Sequence, residues 1–182
     1  MRITAGYLRN RQIRTLSGDN TRPTTEKVRE AVFSHLGTYF DGGLFLDLFA
    51  GSGAMALEAI SRGMERAVLV DNSTQAIAVI NANVRDLDLA SETEILKCSY
   101  KTALARFGAE GRSFDYIFID PPYRFKLGSE LLEEIRDRQL LKPEGTIIVE
   151  TRKEEEIREP EGLRISKSAV YGISRITYVK RS

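Results

Sequence analysis

Leu46-Asp47-Leu48-Phe49-Ala50-Gly51-Ser52-Gly53-Ala54-Met55-Ala56 decides how this chain folds. A short apolar run leads into a glycine-rich turn and then into small and apolar residues suited to a helix. Gly51 and Gly53 permit positive φ and a close backbone approach, and the free N–H groups opening the helix can hold a polar or anionic ligand, with Ala50 and Ser52 completing the cradle. Twenty positions after Gly51, Asp71 closes the next apolar run, Ala67-Val68-Leu69-Val70. A carboxylate at that point can accept hydrogen bonds from the two ribose hydroxyls of an adenosine. The plainer alternative is that the glycines only turn the chain and Asp71 caps the following helix.

Strand, glycine turn, helix, strand and acid also satisfy the dinucleotide fingerprint, so NAD has to be weighed against S-adenosylmethionine. Three details favour the second. Asp47 lies inside the first strand, where it can reach a cofactor amino group. A dehydrogenase needs contacts for a second nucleotide, and this chain ends soon after its first set of strands. The third detail is Asp120-Pro121-Pro122-Tyr123, directly behind the apolar run Tyr116-Ile117-Phe118-Ile119. Two prolines lack N–H donors and hold the chain extended, so the strand stops and its carbonyls point outward. A carboxylate, a fixed carbonyl and an aromatic face at a strand end suit a flat partner carrying an amino group, such as a nucleobase. Asp-Pro is also ordinary turn chemistry, with Tyr123 as a cap on the core.

Outward from these motifs the chain alternates. Strands are expected near 44–49, 67–71, 94–98, 115–120 and 145–150, with helices near 54–62, 73–87, 100–107 and 129–138 between them. Such alternation requires parallel strands. A first helix is expected over 25–40, with Val28, Ala31, Val32, Leu36 and Tyr39 on its apolar face, and the helix at 73–87 has Ser73 as N-cap and Ala76, Ile77, Ile80, Val84 and Leu87 at helical spacing. The tail differs: 163–169 and 175–179 read as an antiparallel hairpin around Tyr171-Gly172-Ile173-Ser174. Residues 1–21 form a basic N-terminal arm or hairpin, with Gly6, Asn10 and Gly18-Asp19-Asn20 as turn signals, and 22–182 form the main domain.

With 182 residues and 42% hydrophobic content the chain can bury a real core. No run is long and apolar enough to span a membrane, and the N-terminus lacks a signal-peptide core, so the expected location is cytoplasmic. Cys98 is the only cysteine and His35 the only histidine. Disulfides are therefore excluded, and neither a zinc cluster nor a histidine triad is expected; Cys98 reads as a small buried residue at a strand end and His35 as the flank of a helix. Net charge is +1, but both ends are basic: Arg2, Arg9, Arg11, Arg14 and Arg22 stand against Asp19 alone, and Arg164, Lys167, Arg175, Lys180 and Arg181 face no acid after Gly162. Such a layout can offer a positive surface to a polyanion, or simply keep terminal strands solvated.

Arg22-Pro23-Thr24-Thr25 with Val28-Arg29-Glu30, then Leu46 to Gly53, then Asp120-Pro121-Pro122-Tyr123 together resemble the RsmD-type methyltransferases, over nearly the whole chain. The glycine turn marks Rossmann-like methyltransferases broadly. The Asp/Asn-Pro-Pro-aromatic motif marks amino-group methylation of bases or of glutamine. Arg-Pro-Thr joined to both in so short a chain is the narrow signal. The resemblance implies an α/β, Rossmann-like class I fold with a mostly parallel seven-stranded sheet ending in the antiparallel hairpin. It implies S-adenosylmethionine as donor, no metal, and the exocyclic N2 of a guanine in bacterial 16S rRNA as acceptor, free or within a small subunit or its assembly intermediate. The protein is expected to be a monomer.

The expected roles follow. Asp120 and the Pro121 carbonyl orient the amine, Pro122 holds the bend, and Tyr123 stacks on the base, a task a phenylalanine would serve equally. Asp47, Ala50, Gly51, Ser52 and Gly53 line the methionine end of the donor and Asp71 its ribose. Asn72 and Ser99 are candidates for the adenosine, Arg22 and Thr24 for the pocket, and Arg9, Arg11 and Arg14 for RNA phosphates. Methylation of adenine N6 or glutamine N5, and a non-catalytic nucleic-acid-binding module on the same fold, are the competing readings. The absence of a target-recognition domain argues against sequence-specific DNA modification.

Overall fold

The computed structural model describes residues 1–17 and 25–182, which form two compact units, Met1–Ser99 and Tyr100–Ser182. In the first unit, helix α1 (Glu26–Leu36) precedes strand β1 (Leu44–Asp47), helix α2 (Ala54–Ser61), strand β2 (Arg66–Asp71), helix α3 (Thr74–Asp86) and strand β3 (Thr93–Lys97). The strands run parallel, β1 pairing β2 with Asp47 opposite Leu69, and β2 pairing β3 with Asp71 opposite Lys97. Phe45, Leu46, Val68, Leu69 and Val70 are buried without alternation, as expected of strands covered on both faces. Each such side chain contributes about 1.5–3 kcal/mol.

Helix α1 is shorter than its periodicity suggests. The Thr25 hydroxyl accepts from the Val28 N–H to open it, and it closes at Gly37, whose N–H donates to the Phe33 carbonyl at 3.1 Å. Tyr39, expected on the buried face, lies beyond this stop and is exposed. Phe33 takes the core position instead, stacking on Phe45 with ring centroids 6.2 Å apart. At α3 the Ser73 hydroxyl accepts from the Ala76 N–H, as expected. Cys98 follows β3 and is half-buried rather than fully buried.

The opening segment carries its own antiparallel bridge, Arg2 to Gln12. Ile3, Leu8 and Ile13 are buried, so this stretch packs as part of the unit. Gly6 makes that packing close: at φ +83 its backbone lies where an added Cβ would stand 1.8 Å from the Ser61 carbonyl oxygen. The Tyr7 N–H donates to that same oxygen at 3.1 Å. The turn signals at 18–20 and the boundary at 21/22 lie outside the described residues.

The second unit contains helix α4 (Tyr100–Ala109), strand β4 (Phe114–Ile119), helix α5 (Gly128–Asp137) and strands β5 (Leu141–Arg152), β6 (Leu163–Tyr171) and β7 (Ser174–Arg181). β4 and β5 are parallel, whereas β7 runs antiparallel to both β5 and β6, giving the order β4-β5-β7-β6. β5 starts earlier than expected because Phe114 pairs with Leu141 before a register shift brings Tyr116 opposite Thr146. The described residues thus carry seven strands in an α/β arrangement: three parallel strands in the first unit and, in the second, two parallel strands followed by the C-terminal antiparallel hairpin. No helix among them is long and apolar enough to cross a membrane.

Candidate active site

Asp47 ends β1 sealed from solvent, and neither of its carboxylate oxygens has a hydrogen-bond partner. Burial pushes its pKa up to about 7; the Ala56 N–H pulls it back without reaching hydrogen-bond geometry, and the negative charge of Asp71 adds to the rise. A buried acceptor without a donor is costly, and a carboxylate so placed is matched to an incoming cation.

Beyond Asp47 the glycine turn is held from several sides. The Ala50 N–H donates to the Val70 carbonyl at 2.9 Å. Gly51, at φ 57, donates its N–H to Asp71 Oδ2 at 2.9 Å, while Oδ1 accepts from the Ser73 N–H at 2.9 Å. Ser73 itself caps α3, so Asp71 ties the turn to the end of β2 rather than serving only as a cap. Gly53 is the N-cap of α2 at φ 84, and an added Cβ would meet Leu69 Cδ2 at 2.9 Å. No side chain caps α2, so its opening N–H groups have no side-chain acceptor at the N-cap. Asn72 is exposed beside Asp71, and Ser99 is half-buried just past β3, where the Cys98 N–H donates to the Asp71 carbonyl at 3.2 Å.

In the second unit, β4 stops at Ile119 and Asp120 follows half-buried. Pro121 is buried, Pro122 is exposed, and a single 3₁₀ turn covers Tyr123–Phe125. That turn uses one of the two proline carbonyls expected to point outward, because the Pro122 oxygen accepts from the Phe125 N–H at 3.1 Å. Tyr123 is half-buried, and its hydroxyl lies 3.0 Å from Ser174 Oγ.

Of the candidate phosphate contacts, Arg9 is exposed. Arg11 donates to the Asp86 carbonyl at 2.7 Å, and Arg14 pairs with the Asp86 carboxylate at 2.9 Å. Both therefore sit at the carboxyl end of α3, where cations complement the helix dipole. Arg22 and Thr24 lie outside the described residues.

Residues 1–180 match the family model described as "Conserved hypothetical protein 95", the RsmD family. The chain belongs to this family. The ribosomal RNA small subunit methyltransferase D of Haemophilus influenzae is 31% identical over 95% of this chain and 90% of its own length. The Bacillus subtilis protein YlbH is 36% identical over 100% of this chain and 99% of its own. Among solved structures, the Escherichia coli protein YhhF matches with a TM-score of 0.85 at 29% identity, over 100% of this chain and 98% of that one. The fold is that of the class I methyltransferases, and this RsmD-family chain is a methyltransferase.

Two polar features of this family member were not visible as site residues in its sequence. Arg29, in the segment Val28-Arg29-Glu30, is fully buried and pairs with Glu58 at 3.0 Å. Glu58 is also buried and takes Arg62 at 3.0 Å, the Thr4 hydroxyl at 2.6 Å, and the N–H groups of Thr4 and Ala5. Arg29 further donates to the Arg2 carbonyl. Burial draws the Arg29 pKa below its ordinary value, and the neighbouring Glu58 opposes that fall. The second is Asn83 on α3. Its amide donates to the Ser52 carbonyl at 2.9 Å and the Arg14 carbonyl at 3.0 Å, and its oxygen accepts from the Arg14 N–H at 2.7 Å. The signal was a polar residue one place before Val84 on the buried stripe of that helix.

Proposed function

We propose that this chain transfers a methyl group from S-adenosylmethionine to the exocyclic N2 of a guanine in 16S rRNA. The observation that carries the reading is Asp120-Pro121-Pro122-Tyr123 at the end of β4 in a chain of the RsmD family. The donor fits the first unit on that unit's own terms. The partnerless Asp47 carboxylate suits the donor's ammonium, the turn at Gly51 to Gly53 its methionine portion, and Asp71, already fixed by two backbone amides, its ribose hydroxyls. Asn72 and Ser99 are proposed at the adenosine, and Arg22 and Thr24 at the rim of the pocket. When bound, the sulfonium supplies a methyl group already activated for transfer.

The protein's task is then to prepare the acceptor. A base amine is a poor nucleophile because its lone pair is delocalised into the ring. Hydrogen bonds accepted by Asp120 and the Pro121 carbonyl favour a pyramidal nitrogen and aim its lone pair, an effect of positioning and electrostatics. Asp120 need not take a proton before attack, since the nitrogen becomes acidic only as the new bond forms. Tyr123 stacks on the base, which must be unpaired or flipped to enter. Arg9, Arg11 and Arg14 are proposed to add phosphate contacts that give affinity more than sequence choice. The acceptor is proposed to be 16S rRNA, alone or in an assembling small subunit, and the enzyme to act as a monomer.

The test mixes the protein with methyl-labelled donor and, separately, 16S rRNA, small-subunit particles, DNA or protein, followed by mass spectrometry of the labelled nucleoside. N2-methylguanosine is expected, and Asp120→Ala should slow its formation by about 10²- to 10³-fold. Label on adenine N6, on glutamine or nowhere would replace the reading with one of its competitors.

A further inference from the structure

Tyr123 is held by more than its own turn, and two contacts from outside it come from strands β5 and β7 of the second unit. Ser174, the first residue of β7, is 2% exposed and places its hydroxyl 3.0 Å from that of Tyr123. Arg152, the last residue of β5, has its guanidinium carbon 5.3 Å from the Tyr123 ring centroid. These two residues stand directly opposite each other in the antiparallel register of β5 and β7. One rung of the ladder thus delivers a hydroxyl to the rim of the ring and a cation to its face.

The rung is itself fixed. Just past it, the Lys153 N–H donates to the Ile173 carbonyl at 2.9 Å. The Arg175 guanidinium donates to the Lys153 carbonyl at 2.8 Å and 3.2 Å. A tyrosine used only as an apolar surface needs no such arrangement, and a phenylalanine would serve it as well. Here the hydroxyl has a buried partner, and a phenylalanine would take that hydrogen bond away from Ser174.

We infer that Ser174 and Arg152 are positioning residues for the acceptor base: Ser174 sets the tilt of the Tyr123 ring through the hydroxyl pair, and Arg152 covers one ring face so that the base stacks on the other. The inference rests on the reading of Tyr123 as the stacking residue. It gives the C-terminal hairpin a part in aiming the acceptor in addition to its place in the sheet. Arg152 also polarises the ring it covers, which favours a stacked base on the opposite face.

The experiment measures kcat and KM for methylation of small-subunit particles, together with donor affinity and melting temperature. Ser174→Ala and Tyr123→Phe should each lower kcat by about 3- to 10-fold, the scale of one neutral hydrogen bond. The double variant should be no slower than either alone, because both remove the same contact. Ser174→Thr, which keeps the hydroxyl, should restore the rate. Arg152→Ala should lower kcat/KM by a similar factor, with Arg152→Lys recovering part of it. Donor affinity should stay at its wild-type value throughout, and the buried-bond variants should lose only a few degrees of melting temperature, so that kcat measured well below melting separates aiming from mere support. If Tyr123→Ala abolishes turnover while Ser174→Ala and Tyr123→Phe multiply in the double variant, stacking stands and the positioning role is overturned. If Tyr123→Ala has no effect, the stacking reading is lost and the positioning role with it.

Discussion

Two buried carboxylates in the first unit are treated in opposite ways. Glu58, midway along α2, receives five donor groups: two guanidinium N–H groups from Arg29 and Arg62, the Thr4 hydroxyl, and the N–H groups of Thr4 and Ala5. Asp47, at the end of β1, receives none. Burial alone therefore does not mark a functional acid. The satisfied carboxylate fixes the opening segment to the unit, whereas the unsatisfied one carries a charge that either a proton or an added cation relieves.

The comparison can be tested hardest at Glu58. Glu58→Gln leaves two buried guanidinium groups without a counter-charge and should destabilise the protein by about 3–5 kcal/mol in denaturant unfolding. A loss under 1 kcal/mol would mean that the network contributes geometry rather than stability.

At Asp47 the effect depends on pH, and its sign is fixed by the direction of the shift. The folded carboxyl keeps its proton up to about pH 7, while the unfolded one releases it near 3.8. Between those values the folded state holds more protons, so this group's contribution to stability falls as pH rises through the window. In the absence of donor, Asp47→Asn should therefore match wild type below about pH 4 and exceed it by a margin that grows to about 4 kcal/mol at pH 8. The same variant should bind the donor about tenfold or more weakly. A parallel pH profile for the two proteins would remove Asp47 from its proposed place.

The smallest effect sharpens the middle ground. Asn83 is buried like both acids and is satisfied by backbone on either side. Asn83→Ala should cost about 1–2 kcal/mol and loosen Ser52, measured as faster amide exchange in the 50–54 turn.

The sequence revealed what depends on local chemistry. Alternating apolar runs and glycine turns placed the strands of both units, and the motifs around Gly51 and Asp120 fall at strand ends as expected. What it did not reveal depends on distant partners. Arg62, four places on, reads as the partner of an ordinary surface ion pair, and the other donors to Glu58 come from residues more than fifty positions earlier and from Arg29, so nothing local marks it as buried. The same holds for Tyr123, whose hydroxyl meets Ser174 from a different strand. The early end of α1 was missed for the opposite reason: the apolar spacing continued through Leu36 to Tyr39, and one glycine outweighed it.

The way the opening segment is fastened has a practical outcome. Ile3, Leu8 and Ile13 lie in the core, and Thr4 and Ala5 feed the Glu58 network. A chain shortened by its first thirteen residues would lose its solubility and fold along with Arg9 and Arg11, and its failure to hold RNA would say nothing about those side chains. A charge-neutral replacement at exposed Arg9 leaves the fastening intact and tests its proposed RNA contact, whereas one at Arg11 also removes the bond to the Asp86 carbonyl.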